Sequence, residues 1–444
     1  MKNVTHKVYR PSIFIFLTLL LVFNSCKKSQ IQSASKSEDL KDGPVISDSK
    51  SLLIDSVPSD AKVYSLGTGE GVLTIDGSNI DCKRNVLIKI KSGTYSSIIL
   101  KNLLAPRNVR IYIKNDGQVK ITEAMYTDNI SNVTISGGDN KGLNFGFKFE
   151  NIPYRAIVMN GKINGITLRN LRFENVANAS IFGERSNGYG FPYNGTVDSR
   201  SEYLKILYCS FVNSGSISFG GALDADNNED TGLFKDVEIA YNEFEHSSGI
   251  GSVCYFSNVQ DYNIHHNVVN NINLTNNNHN GIFWMQGNGK FHHNRLTNYQ
   301  GNSIRAWLYS RGNSPATVEI YNNICFNSRK YGAFELQAFN RNIVPGKSTY
   351  ANARIYNNTV GRMNTSRDWE GQILDLYHTG GTLEYFNNLG FELVAINKPL
   401  TNMINNMSDT KIVKEVNNKY VPRLEQAVNN SFDFYSNYAE LGAK

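Results

Sequence analysis

From about residue 85 the chain alternates Val, Ile, Tyr and Phe with polar residues in short runs. These runs break at Asn and Gly, with almost no helical periodicity. One phrase keeps returning: LKILYCSF at 204, VEIAYNEF at 237, YNIHHNVV at 262, KFHHNRL at 290, VEIYNNIC at 318, ARIYNNTV at 353 and LEYFNN at 383. Aligned on the shared Asn, the copies give Asn242, Asn267, Asn294, Asn323, Asn358 and Asn388, with gaps of 25, 27, 29, 35 and 30 residues. A period of this size predicts a solenoid. A single such strand cannot bury its apolar face, but stacked copies share one core and pair their edges. Stacking also places each Asn over the next, so these amides are expected to form a structural hydrogen-bonded ladder.

A second strand follows each Asn strand. The candidates read ALDAD (222–226), VCYFS (253–257), IFWMQ (282–286), IRAWL (304–308), AFELQ (333–337) and ILDLY (373–377). Alternate residues of a strand face opposite sides. The second and fourth places are nearly all apolar: Leu223 and Ala225, Cys254 and Phe256, Phe283 and Met285, Phe334 and Leu336, Leu374 and Leu376. They are assigned to the core. Arg305 and Trp307 fall in the same places, so Arg305 is either buried and paired, or its coil is shifted by one residue. The third and fifth places then face outward, with Asp224 and Asp226, Tyr255 and Ser257, Trp284 and Gln286, Ala306 and Leu308, Glu335 and Gln337, Asp375 and Tyr377. Rings, amides and carboxylates in one stripe suit a sugar chain, because rings cover apolar sugar faces while the polar groups bond hydroxyls. Tyr255, Trp284, Gln286, Gln337 and Tyr377 are the expected substrate-binding residues.

The Asn column, the loose coils and the glycine-marked second strand resemble the right-handed parallel β-helix of the pectate-lyase-like superfamily. The resemblance covers residues 63–400, with IKIKSGTYSSIIL (88–100) similar to an entry coil and residues 401–444 expected to cap the end. It implies an all-β fold but no single activity. The paired Asp-Asp, Gly-His-Gly and Arg-Ile-Lys signatures of the β-helix polygalacturonases are absent, so a galacturonan hydrolase does not follow.

Glycoside hydrolysis needs two carboxyl groups flanking the scissile bond. Asp224 and Asp226, two residues apart on one strand, would lie about 6.5–7 Å apart and are the first choice as catalytic pair. Glu335 and Asp375, about 4.8 Å apart on adjacent coils, are the second. A third use of the acids is calcium, held by Asp224, Asp226 and Asp230. Their spacing starts like an EF-hand loop but fails at its sixth and twelfth places, Glu229 and Lys235. A calcium-assisted polysaccharide lyase is therefore the alternative, and a non-catalytic glycan-binding solenoid a third. The outward columns in this register hold no Lys or Arg, which favours hydrolysis. His265, His266, His279, His292 and His293 are read as structural.

The amino terminus changes the expected location. Lys2, Lys7 and Arg10 precede an apolar run from Ile13 to Phe23, too short to span a bilayer, and the run stops at Asn24-Ser25-Cys26. This resembles a bacterial lipoprotein signal of the looser, Bacteroidetes-like kind. It implies cleavage after residue 25, lipid attachment to Cys26, a tether over residues 26–62 and an outer-membrane location. The formal charge of +6 would fall to +3 on loss of three basic residues, too weak and scattered to argue for nucleic acid or direct membrane binding. A monomer contacting polysaccharide is expected. Cys82, Cys209, Cys254 and Cys325 show no CxxC pair; their disulfide state is open.

Overall fold

The computed structural model describes residues 56–138, 143–184, 191–224, 229–338, 348–396, 398–400, 402–408, 410–429 and 433–444. The leader, Cys26 and most of the tether lie outside them. The described chain is a parallel β-helix: 32 strands join one sheet system, and consecutive coils pair in parallel register. Helical structure among the described residues is limited to short 3-10 turns such as Gly77–Asn79 and Leu424–Gln426.

Each coil contributes strands to separate stacks, and every stack drives one apolar column inward. Ile206, Ile239, Ile264, Phe291, Ile320, Ile355 and Tyr385 align in the first. In the second, Phe149, Phe173, Phe211 and Phe244 stack face to face, with ring centroids 4.7–4.8 Å apart. That is the interstrand spacing itself. Cys209, Cys254 and Cys325 are buried in this core and all four described cysteines are free; burial pushes the Cys209 and Cys325 thiols up to about 12. These thiols act as small apolar fillers.

The Asn ladder forms at the turn between the first two stacks. Each Nδ2 donates to the Oδ1 of the next Asn at 3.0–3.1 Å, from Asn242 through Asn267, Asn294, Asn323, Asn358 and Asn388 to Asn418. The ladder and the parallel strands Ile404–Asn406, Lys411–Val416 and Lys419–Val421 carry the winding past residue 400. The expected cap boundary is therefore corrected to follow residue 421.

Just outside the ladder, rings stack along the turn, including His265 on His292 and His266 on His293, both at 4.9 Å. The hydrogen bonds fix their protons. His265 Nε2 faces Glu238 Oε1 at 3.3 Å and must donate, so His265 Nδ1 accepts from His266 Nδ1 at 2.8 Å. His292 Nε2 donates to Asn263 Oδ1 at 2.9 Å, and its Nδ1 accepts from His293 Nδ1 at 2.7 Å. Asn322 then donates to His293 Nε2 at 3.1 Å. Burial, then the adjacent His265, His293 and His266, hold His292 down at about 3; burial also lowers His293. Both folded values lie below the ordinary 6.5, so the unfolded chain takes up these protons first and stability falls as pH drops below 6.5. The melting temperature is expected to decline between pH 6.5 and 5. His292→Tyr, which extends the stack toward Tyr321, should flatten that decline; an unchanged slope would exclude His292 as a source.

Candidate functional site

The third stack carries the outward stripe, in a register that differs from expectation at two coils. Its core column runs Ile217, Cys254, Phe283, Ile304, Phe334, Leu374 and Ile404. The neighbouring outward column is Ser218, Tyr255, Trp284, Arg305, Glu335, Asp375 and Asn405. Arg305 thus faces out and Ile304 fills the core: this coil is shifted by one residue, and Ala306 and Leu308 are buried while Trp307 pairs with Gln286 and Gln337. A basic residue therefore stands in the outward column, and the ground for preferring hydrolysis falls.

The second correction concerns residues 222–226. The strand stacked on Cys254–Phe256 is Ser216–Phe219, whose Ile217 and Phe219 are fully buried. After Gly220 and Gly221 the chain leaves the stack, and Ala222–Asp224 pairs antiparallel with Glu229–Thr231 in a separate hairpin. Asp226 lies outside the described residues, and of Asp224 only the backbone is described. Asp230 is spoken for: Arg311 donates to its Oδ2 at 2.5 Å and Oδ1 at 2.8 Å, and Asn258 donates to Oδ1 at 2.9 Å. A carboxylate clamped by a guanidinium fits a calcium ligand poorly, and among the described residues no cluster of His, Cys, Asp and Glu could hold a metal.

The stack does bring together Arg305, Glu335 and Asp375, and adds His279, expected above to be structural, and Asn302, which carried no expectation. Arg305 Nε donates to Glu335 Oε1 at 2.9 Å, with Nη2 at 2.9 Å from the same oxygen, and Nη1 donates to the His279 carbonyl at 3.0 Å. The guanidinium lies 4.9 Å above the Trp284 ring. His279 Nε2 donates to Asn302 Oδ1 at 2.9 Å and stands 3.0 Å from Glu335 Oε2. Its hydrogen points at the amide, so Oε2 is buried without a directed hydrogen bond. The imidazole stacks on Tyr331 at 4.2 Å. With Nε2 fixed as the protonated nitrogen, the Nδ1 lone pair makes no hydrogen bond among the described residues, on a side chain that is 31% exposed.

The two carboxyls beneath are sealed. Glu335 is 0% and Asp375 5% exposed. Burial pushes Glu335 up, but the His279 and Arg305 contacts outweigh it and hold the group below its ordinary value. Asp375 receives only long hydrogen bonds, from Asn405 at 3.3 Å and Asn302 at 3.5 Å. Burial, reinforced by the charge of Glu335, pushes it up to about 6. Because this lies above the ordinary 3.8, the stability carried by the proton is complete below pH 3.8 and lost as pH rises through about 6. Environments that pull two acids apart in this way mark functional sites more often than inert ones. The remaining expected contact residues surround the cluster: Tyr255 meets Trp284 edge-on at 5.4 Å, Tyr377 is half-buried, Gln286 is buried and Gln337 half-buried.

Gly281 shows how closely this is packed. A Cβ there would meet Arg305 Cγ at 2.7 Å and Cδ at 2.9 Å. Gly281→Ala is expected to displace the arginine from Glu335 and cost about 1–3 kcal/mol in denaturant unfolding. Unchanged stability would mean the arginine stem has room to move.

No family model matches the chain. No curated protein matches it either. Among solved structures it is similar to the PL6 family polysaccharide lyase from Pseudopedobacter saltans, at 12% identity and a TM-score of 0.42, over 84% of this chain and 99% of that one. The site chemistry rests on the geometry above: an imidazole with one nitrogen pinned from behind and the other open, over a buried Arg–Glu pair and a carboxyl that stays protonated to about pH 6.

Proposed function

We propose that the protein cleaves an acidic polysaccharide by β-elimination, with His279 as the proton-abstracting base. The observation that carries this is the open Nδ1 of His279, opposite an Nε2 held by Asn302 with Glu335 Oε2 3.0 Å away. A carboxylate behind an imidazole favours the tautomer and stabilises the cation formed on proton uptake. Elimination needs one base on the carbon beside the sugar's carboxylate. As that proton moves to Nδ1, the electron pair forms the carbon–carbon double bond and the glycosidic C–O bond breaks. The imidazolium just formed is the nearest donor for the departing oxygen. Arg305, charge-balanced by Glu335, holds that carboxylate in place behind the imidazole.

Hydrolysis fits less well, because it needs two carboxyl groups that reach opposite sides of the bond. Glu335 has no exposure and is already engaged by Arg305 and His279; Asp375 lies almost as deep. Calcium assistance through Asp224, Asp226 and Asp230 is disfavoured by the Arg311 clamp.

The test is a panel of uronate polymers and neutral glycans, read both for binding and for the ultraviolet absorbance of an unsaturated uronate. Unsaturated product from an acidic polymer, formed equally in EDTA, is expected. Saturated reducing-end products would overturn elimination, binding without product would select a glycan-binding solenoid, and EDTA sensitivity would point to a metal site. For location we propose lipid attachment at Cys26 and an outer-membrane anchor, on the strength of the basic, apolar and Cys-terminated leader. Cys26→Ala should then shift the protein to the soluble fraction.

A further inference from the structure

Beside His279 stands an aromatic ring that the fold holds in water. Trp369 is 47% exposed, whereas Tyr331 between it and His279 is only 5% exposed. The three rings form a row, with His279 stacked on Tyr331 at 4.2 Å and Tyr331 edge-on to Trp369 at 5.5 Å. The Lys330 ammonium lies 5.5 Å from the Tyr331 ring and 5.6 Å from the Trp369 ring, on a side chain only 15% exposed. Among the described residues its carboxylate partner is Asp368, loose at 3.4 Å, and Ser366 draws the other oxygen of that carboxylate away at 2.6 Å.

The exposure of Trp369 is built in. Its loop is fastened to the preceding coil: Thr365 N donates to Ser328 O at 3.1 Å, and Ser366 N donates to Arg329 O at 3.0 Å. The fully buried Asn364 donates to the Trp369 carbonyl and, at 3.1 Å, to Val394 O. Arg329 in turn donates to Asn277 Oδ1 at 2.8 Å and to the Asn276 carbonyl, which ties the same patch to the loop that carries His279. An indole fixed in solvent forgoes the gain of burial unless a ligand covers it. An ammonium between two ring faces is partly desolvated, with N–H groups left for an acceptor.

We infer that Trp369 and Lys330 form a subsite for an acidic sugar unit next to the one that reacts at His279. The indole carries the apolar face of the ring and Lys330 receives its carboxylate. This rests on the elimination reading for the neighbouring unit but makes its own claim about binding. It gives the site a direction, since the rings run from His279 to Trp369 across one side of the cluster.

The test uses oligogalacturonate and oligoguluronate, each as free acid and as methyl ester, with binding measured by calorimetry. The variants are Trp369→Ala and Lys330→Gln, each in wild-type and His279→Asn backgrounds. Trp369→Ala is expected to weaken the best-bound free acid about 10- to 100-fold, the scale of losing an aromatic contact. It should weaken the ester as well. Lys330→Gln should weaken only the free acid, by about 5-fold or more, and so erase the preference for acid over ester. Melting temperatures should stay within a degree or two of wild type, because Trp369 is exposed and Lys330→Gln keeps most of the stem and a polar end. Acid and ester binding that is indifferent to Trp369→Ala, or a Lys330→Gln loss equal on both, would overturn the subsite, as would no binding of either acid. Cleavage that depends on His279 but not Trp369 would sink the subsite and keep the elimination reading. Trp369-dependent binding of the acids without cleavage would keep the subsite and sink elimination.

Discussion

His279→Asn should lower the rate of product formation by about 10²–10⁴-fold, the usual worth of a positioned general base, while leaving substrate affinity close to wild type. Asparagine keeps a polar group near Asn302 but cannot take up a proton. Glu335→Gln tests the layer beneath. Glu335 touches His279 and Arg305 but has no surface of its own, so it acts as a positioning residue. Its amide cannot stabilise the imidazolium, and turnover should fall with little change in KM. It also leaves Arg305 short of its counter-charge, and breaking a buried pair is destabilising. The two effects separate by measuring turnover well below the variant's own melting point, together with the pH–rate profile. A purely structural Glu335 would alter stability and leave the shape of that profile alone. If His279→Asn turns over substrate at the wild-type rate, the base lies elsewhere and the elimination reading fails.

The fold was readable because its signal repeats. Asn242, Asn267, Asn294, Asn323, Asn358 and Asn388 each need the Asn of the next coil, so spacing alone exposed the winding. The ladder's last member, Asn418, escaped because the strands around it are short and largely exposed. The outward column was harder, since a slip of one residue exchanges the two faces of a strand. In the coil of IRAWL, a lone Arg in an otherwise apolar column was the warning, and the shift by one residue is what occurs. ALDAD imitated a stacked strand by alternating Leu and Ala with Asp, yet the preceding SISF supplies Ile217 and Phe219 to the core and two glycines end that strand. His279 carries no periodic signal at all. It sits in a polar loop before Gly281–His292 and gains meaning only when Glu335, 56 residues later by number, arrives beneath it. Strand order can be read along a chain; the meeting of a loop with a later coil cannot.

The largest effect on stability is expected in the middle of the Asn ladder. Asn323 is fully buried. Its Nδ2 donates to Phe291 O at 2.9 Å and to Asn358 Oδ1 at 3.0 Å. Its Oδ1 accepts from the Asn294 amide N–H at 3.0 Å and from Asn294 Nδ2 at 3.1 Å. After Asn323→Ala, Asn358 Oδ1 keeps the Asn323 amide, and Asn294 Nδ2 keeps Ile264 O. The Phe291 carbonyl and the Asn294 amide lose these side-chain partners in a place water does not reach. At about 1–3 kcal/mol for each orphaned group, the loss should be about 2–6 kcal/mol. Asn417→Gly is the control, because its bond to Asn387 at 2.8 Å lies on the surface, its groups can turn to water, and glycine accepts the left-handed backbone (φ 53°) found there. That loss should stay below about 1 kcal/mol. Coils of a solenoid contact only their neighbours, so a weak rung also divides the stack. Hydrogen exchange should therefore show the first-stack strands on either side, Gly281–His292 and Thr317–Tyr321, opening at lower free energy than Ser201–Leu207. Equal losses for the two variants would mean that the buried amides contribute no more than exposed ones, and the ladder would then record the winding without holding it together.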